Sequence, residues 1–201
     1  MSDFSILSGT GNKYGAEVDS EFKLMTRAVT ETENDHKAHE GYAYNWNTGA
    51  PFDIAGNDSS AVAFLKNTDS TYNLVITAFI YNLGIATDAL TTGAEFSNVV
   101  IVNNPTAISA GSAVAPVNKF IGSNNTLTGT FTAATVGGGT FTGGTDMIET
   151  LISSTTGGRN FISVGAVVLP PQTAIGIRYE AHTTTSQQYV QFATAMYLDK
   201  S

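Results

Sequence analysis

From Gly41 onward the chain is written in period two, the spacing that places alternate side chains on opposite faces of a β-strand. Residues 72–81 carry the pattern most strongly. Leu74, Ile76, Ala78 and Ile80 are expected on one face, and Asn73, Val75, Thr77 and Phe79 on the other. In residues 174–181, Ile175, Ile177 and Tyr179 alternate with Gly176, Arg178 and Glu180. In residues 189–198, Val190, Phe192, Met196 and Leu198 alternate with Tyr189, Gln191, Ala193 and Tyr197. Shorter apolar runs lie at 42–46, 61–67, 98–104, 147–152 and 162–169, and Pro105 closes the third by removing a ladder N–H. About eight strands punctuated by turn residues predict a sandwich or barrel. The connections 84–94 and 105–125 are too long for hairpins, so some must cross between sheets. That favours a Greek-key or jelly-roll path over an up-and-down barrel. The expected fold is all-β, a jelly-roll-like antiparallel β-sandwich, and no repeat of fixed period suggests a propeller or solenoid.

The 201 residues suffice for one such sandwich. Only 13% of them are charged, against about 25% in an ordinary soluble domain. Thr, Ser, Asn and Gly must therefore build much of the surface. The net charge is −8, with no cluster of Lys and Arg, so neither direct nucleic-acid binding nor adhesion to an anionic membrane is expected. No apolar run is long enough to span a bilayer as a helix. There are no cysteines, which removes disulfides and thiolate metal sites and fits synthesis in a reducing cytosol. Ser2, Asp3 and Phe4 follow Met1 without a basic and then apolar leader, so no secretory signal is expected.

Residues 1–40 have a different texture, holding 12 of the 26 charged residues. Residues 8–13 read as a turn-rich linker, and 14–18 and 22–27 as short strands. Residues 31–39 form the best helix candidate, with Thr30 as N-cap and Glu33 completing a capping box. The predicted organisation is an N-terminal arm, 1–40, with short strands and one short helix, followed by the sandwich, 41–201. A charged arm beside a charge-poor sandwich suggests a docking or subunit-contact element. Its candidate interface residues are Tyr14, Val18, Phe22, Leu24 and Arg27.

Few residue groups suggest chemistry. His36 and His39 stand at i, i+3, a zinc-compatible spacing, but no third ligand lies near them in sequence. His182 lacks a nucleophile elbow, since no G-x-S-x-G occurs. Asp146 and Glu149 are two of the few acids in a long neutral stretch, and paired carboxylates can serve glycoside hydrolysis. Gly137-Gly138-Gly139-Thr140 lacks the lysine and helix of a phosphate loop. Asn57-Asp58-Ser59 and Asp69-Ser70 offer oxygens without a calcium-loop register. Tyr42, Tyr44, Trp46 and Phe52 are expected mainly as a core face, with a sugar-stacking or interface shelf as the alternative. No catalytic residue, cofactor or metal is expected.

Several segments resemble small virion proteins of tailed bacteriophages. Gly11-Asn12-Lys13-Tyr14-Gly15-Ala16-Glu17-Val18-Asp19 resembles their opening strand, and residues 22–29 the strand that follows. Tyr44-Asn45-Trp46-Asn47-Thr48-Gly49, Thr145-Asp146-Met147-Ile148 and residues 168–177 are similar to later segments of the group. The resemblance implies a non-enzymatic capsid decoration (cement) protein on the exterior of the phage head, synthesised in the host cytoplasm. Its implied partners are the major capsid protein and neighbouring copies of itself, as a dimer or trimer. The alternative implied role is a tail- or fibre-associated protein that binds host carbohydrate.

Overall fold

The computed structural model describes residues 5–7, 13–15, 32–49, 51–54, 59–85, 95–134, 139–154, 158–162, 166–181 and 188–199. The chain divides into two compact units, Met1–Thr32 and Glu33–Ser201. In the first, β1 (Ser5–Leu7) pairs antiparallel with β2 (Lys13–Gly15), setting Ile6 opposite Tyr14. The expected strand at 22–27 lies outside the described residues. The second unit opens with α1 (Glu33–His39), two residues later than the start read from the capping box. Polar except for Ala38 and only seven residues long, such a helix depends on packing rather than propensity. α1 falls within the second unit, Glu33–Ser201.

The strands that follow are β3 (Ala43–Asn47), β4 (Phe52–Ile54), β5 (Ser59–Asn67), β6 (Asn73–Ile85) and β7 (Glu95–Asn103). Next come five short ones, β8 (Ala107–Ile108), β9 (Ser112–Ala113), β10 (Val117–Asn118), β11 (Gly129–Ala133) and β12 (Phe141–Thr142). The chain closes with β13 (Thr145–Ser154), β14 (Gly158–Ile162), β15 (Val167–Leu169), β16 (Ala174–Ala181) and β17 (Gln188–Asp199). One sheet runs β10-β3-β17-β6-β14, with β15 also on β6 and β4 also on β17. The other runs β13-β7-β16-β5-β11-β9, and α1 packs on β3 and β17. Every strand pair in both sheets is antiparallel. The last two long strands return to the middle, β16 between β5 and β7, and β17 between β3 and β6. The all-β antiparallel sandwich is as expected.

The inner faces follow the alternation read from sequence. Ile175, Ile177, Tyr179 and Ala181 of β16 join Val190, Phe192, Met196 and Leu198 of β17 in one core. Each such side chain contributes about 1.5–3 kcal/mol by leaving water. β6 departs from the expectation. Ala195 pairs with Ala78 and Met196 with Ile76, so Thr77 is an extra residue in the ladder. The bulge reverses the faces beyond it: Leu74 and Ile76 point inward before Thr77, Phe79 and Tyr81 after it. Ala78 and Ile80, expected on the face of Leu74, therefore lie on the opposite one. The Thr77 hydroxyl donates to the Ala195 carbonyl at 3.2 Å beside the bulge.

The outer face of the β16 sheet is covered by the chain's own excursion between β7 and β13. Ala61 N donates to Gly139 O at 2.7 Å, and β8 pairs with β12. Phe141 lies over Gly176, where an added Cβ would sit 2.5 Å from its ring. Phe64, Val100 and Val102, on the same outward register as Gly176 and Arg178, are consequently buried. At one end of the sandwich Asn67, fully buried, ties three segments together. Its Nδ2 donates to Tyr72 O at 2.8 Å and Leu169 O at 2.9 Å, and its Oδ1 accepts from Asp69 N at 3.0 Å.

Candidate functional site

The groups singled out for ligand chemistry are mostly engaged in holding the fold. His36 and His39 lie on α1, and His36 Nε2 approaches Glu40 Oε1 at 3.5 Å along the helix surface. Lys37 contacts Glu33 at 3.6 Å and Glu40 at 3.1 Å, and the hydrogen bond to Glu40 raises its pKa. No group of three or more His, Cys, Asp or Glu side chains suited to a metal occurs among the described residues. Asp69 uses Oδ1 to accept from Thr71 N at 2.7 Å and Tyr72 N at 2.9 Å, closing a turn. Gly139 serves as the bridge to Ala61. His182, Asn57, Asp58, Gly137 and Gly138 lie outside the described residues. So do Val18, Phe22, Leu24 and Arg27, while Tyr14 is placed on β2.

Asp146 and Glu149 share β13 but have separate partners. Asp146 forms a two-pronged pair with Arg178, Oδ1 to Nη1 at 3.0 Å and Oδ2 to Nη2 at 2.8 Å. Arg178 Nε also donates to Glu180 Oε1 at 2.9 Å. The Arg178 donors hold the Asp146 carboxyl below its ordinary range, and hydrogen bonding to Asp146 and Glu180 pushes the guanidinium further up. Glu149 accepts instead from Asn98 Nδ2. The register shift between Asp146 and Ile148 marks a bulge at Met147, whose side chain is 45% exposed. An acid already fixed by guanidinium hydrogen bonds is a poor proton donor near neutrality. The arrangement is suited to bracing β13 against β16 and to presenting an acidic, partly apolar patch.

Two of the four aromatics expected to form a core face are core. Tyr44 and Trp46 are buried, and Tyr42 packs against the cluster from its edge. Trp46 Nε1 donates to Val114 O at 2.7 Å, and its ring lies 6.2 Å from that of Phe192. Burial raises the Tyr44 phenol's pKa, and its hydroxyl lacks a hydrogen-bond partner. Phe52 lies on β4, its side chain outside the described residues.

Among the described residues the most exposed apolar surface lies elsewhere, on the turn entered through β10. Ile121 is 97% exposed, Val117 69% and Phe120 49%. The backbone beneath them is tightly held. Asn118 Nδ2 donates to Gly41 O at 2.8 Å and Asn125 O at 3.1 Å, while its Oδ1 accepts from Phe120 N at 2.8 Å. Lys119 N donates to Ala43 O at 2.8 Å, and Ser123 N to Phe120 O at 3.0 Å. Gly122, at φ 91°, supplies the left-handed residue the turn requires. Sequence reasoning missed this turn because three apolar residues within five positions set no period. The available signal was Pro116 followed by apolar residues just before a Gly/Thr/Asn-rich stretch. No family model, curated protein or solved structure matches the chain.

Proposed function

We propose that this chain is a non-enzymatic structural component of a phage virion, a decoration protein that binds the outside of the head and stabilises it. The observation that carries this reading is the braced turn with Val117, Phe120 and Ile121 in solvent. Apolar side chains held ready for contact lose little conformational freedom on binding, which is how a permanent interface gains affinity. The charge-poor, cysteine-free composition and the quoted segment resemblances support the same role. The partners are the major capsid protein and neighbouring copies, and the location is the virion exterior. The burial of Tyr44 and Trp46 favours this reading over a carbohydrate-binding tail component.

The arm contributes docking in this proposal, through Tyr14, Val18, Phe22, Leu24 and Arg27. The test is co-sedimentation with heads stripped of the protein, comparing the full chain with one beginning at Glu33. Binding by the full chain and its loss on truncation are the expected results. No binding by the full chain overturns the role, and undiminished binding by the truncated chain overturns the arm's part in it.

A further inference from the structure

Two of the exposed apolar sites on the sandwich, a turn and a single methionine, lie among charges of opposite sign. The first is the turn of Val117, Phe120 and Ile121 with Lys119 among them. Lys119 makes no ion pair among the described residues and is the single charged residue between Glu95 and Asp146. The second is Met147, lifted out of the ladder by its bulge between Asp146 and Glu149. With Arg178 and Glu180 included, that patch retains an excess of negative charge.

The fold puts these patches on opposite flanks. β10 caps one end of its sheet beside β3. That flank is joined to the β11 edge of the other sheet, since Trp46 bonds Val114 O and Val114 N bonds Phe131 O. β13 ends the second sheet at its far side and packs against β6. Patches so separated cannot satisfy each other within one chain. Set on the Met147 site of another copy, Lys119 would face three carboxylates and one guanidinium, a net attraction that matters for a chain of net charge −8.

We infer that a second copy of this chain is the occupant of the turn. The 117–121 turn of one copy covers Met147 on β13 of the next, with Lys119 facing Asp146 and Glu149. This rests on the assembly role proposed above and names the partner of that same surface. The contact is head-to-tail, using different patches on the two copies. It closes into a ring, such as a trimer, if the rotation between copies permits, and otherwise extends as a chain.

Sedimentation velocity of the full chain across a concentration series tests this. The wild type associates reversibly, more weakly as salt screens the charged rim. Ile121→Asp and Met147→Glu, both at exposed positions, each weaken association by about tenfold or more while circular dichroism shows the native fold. Lys119→Glu weakens it as well, and adding Glu149→Lys to that variant recovers it. A wild type that stays monomeric at every concentration overturns the inference. Association indifferent to Ile121→Asp and Met147→Glu also overturns it. A monomeric chain that still binds stripped heads overturns this contact while leaving the proposed role intact.

Discussion

Trp46 is the single tryptophan of the chain, so its fluorescence reports one site. It is 2% exposed, with its indole N–H on Val114 O at 2.7 Å and its ring against Phe192. Trp46→Phe keeps an aromatic ring there but removes the donor. Leaving the Val114 carbonyl unpaired costs about 1–3 kcal/mol. The space left by the smaller ring adds about 1 kcal/mol, because a sheet core relaxes only in part. The sum is about 3 kcal/mol, which for a chain of this size lowers the melting temperature by roughly 6–12 °C. The loss reaches beyond the core. Val114 precedes β10, so the same bond secures the excursion that carries the exposed turn. The assay has two parts. Wild-type emission is blue-shifted and resistant to acrylamide, and far-UV circular dichroism melts compare wild type with Trp46→Phe. Water-like emission that acrylamide quenches freely, or a variant melting with the wild type, would refute the burial argument.

Three further perturbations follow from the same contacts. Asn67→Ala strips hydrogen bonds from Tyr72 O, Leu169 O and Asp69 N at a fully buried position, and urea titration shows a loss of about 2–4 kcal/mol. Gly144→Ala forces a side chain onto a backbone at φ 92° and 2.8 Å from Val102 Cγ1, so the variant unfolds at lower urea by about 1 kcal/mol or more. Asp146 has its folded pKa lowered from 3.8, so its contribution is complete above that value and is lost as pH falls below it. Acid titration of Asp146→Asn therefore shows a shallower fall in stability below about pH 4. With the wild-type carboxylate half exposed, the change at neutral pH stays within about 1 kcal/mol.

What the sequence made legible depends on how local the cause is. β16 and β17 could be read residue by residue, because each keeps one strict alternation through the strand's core-lining half. β6 could not, because one extra residue at Thr77 inverts the alternation, and that bulge is visible only against its partner β17. Gly176 hinted at more. A glycine amid Ile175, Ile177 and Tyr179 signals a close approach, and Phe141 is what approaches. Asp146 and Glu149 stood out in a neutral stretch, yet the guanidinium that fixes Asp146 lies 32 residues away. The turn at 117–121 is the clearest omission, since exposure of Ile121 follows from where β10 docks on β3, not from its neighbours in sequence.

The proposed role requires that the protein be repeated on a particle surface. Cryo-electron microscopy of virions carrying it tests that most directly. The expected result is density for the sandwich at regular positions on the head exterior, with the 117–121 turn buried against a neighbouring copy. Density confined to the tail, or virions from which the chain is absent, would contradict it.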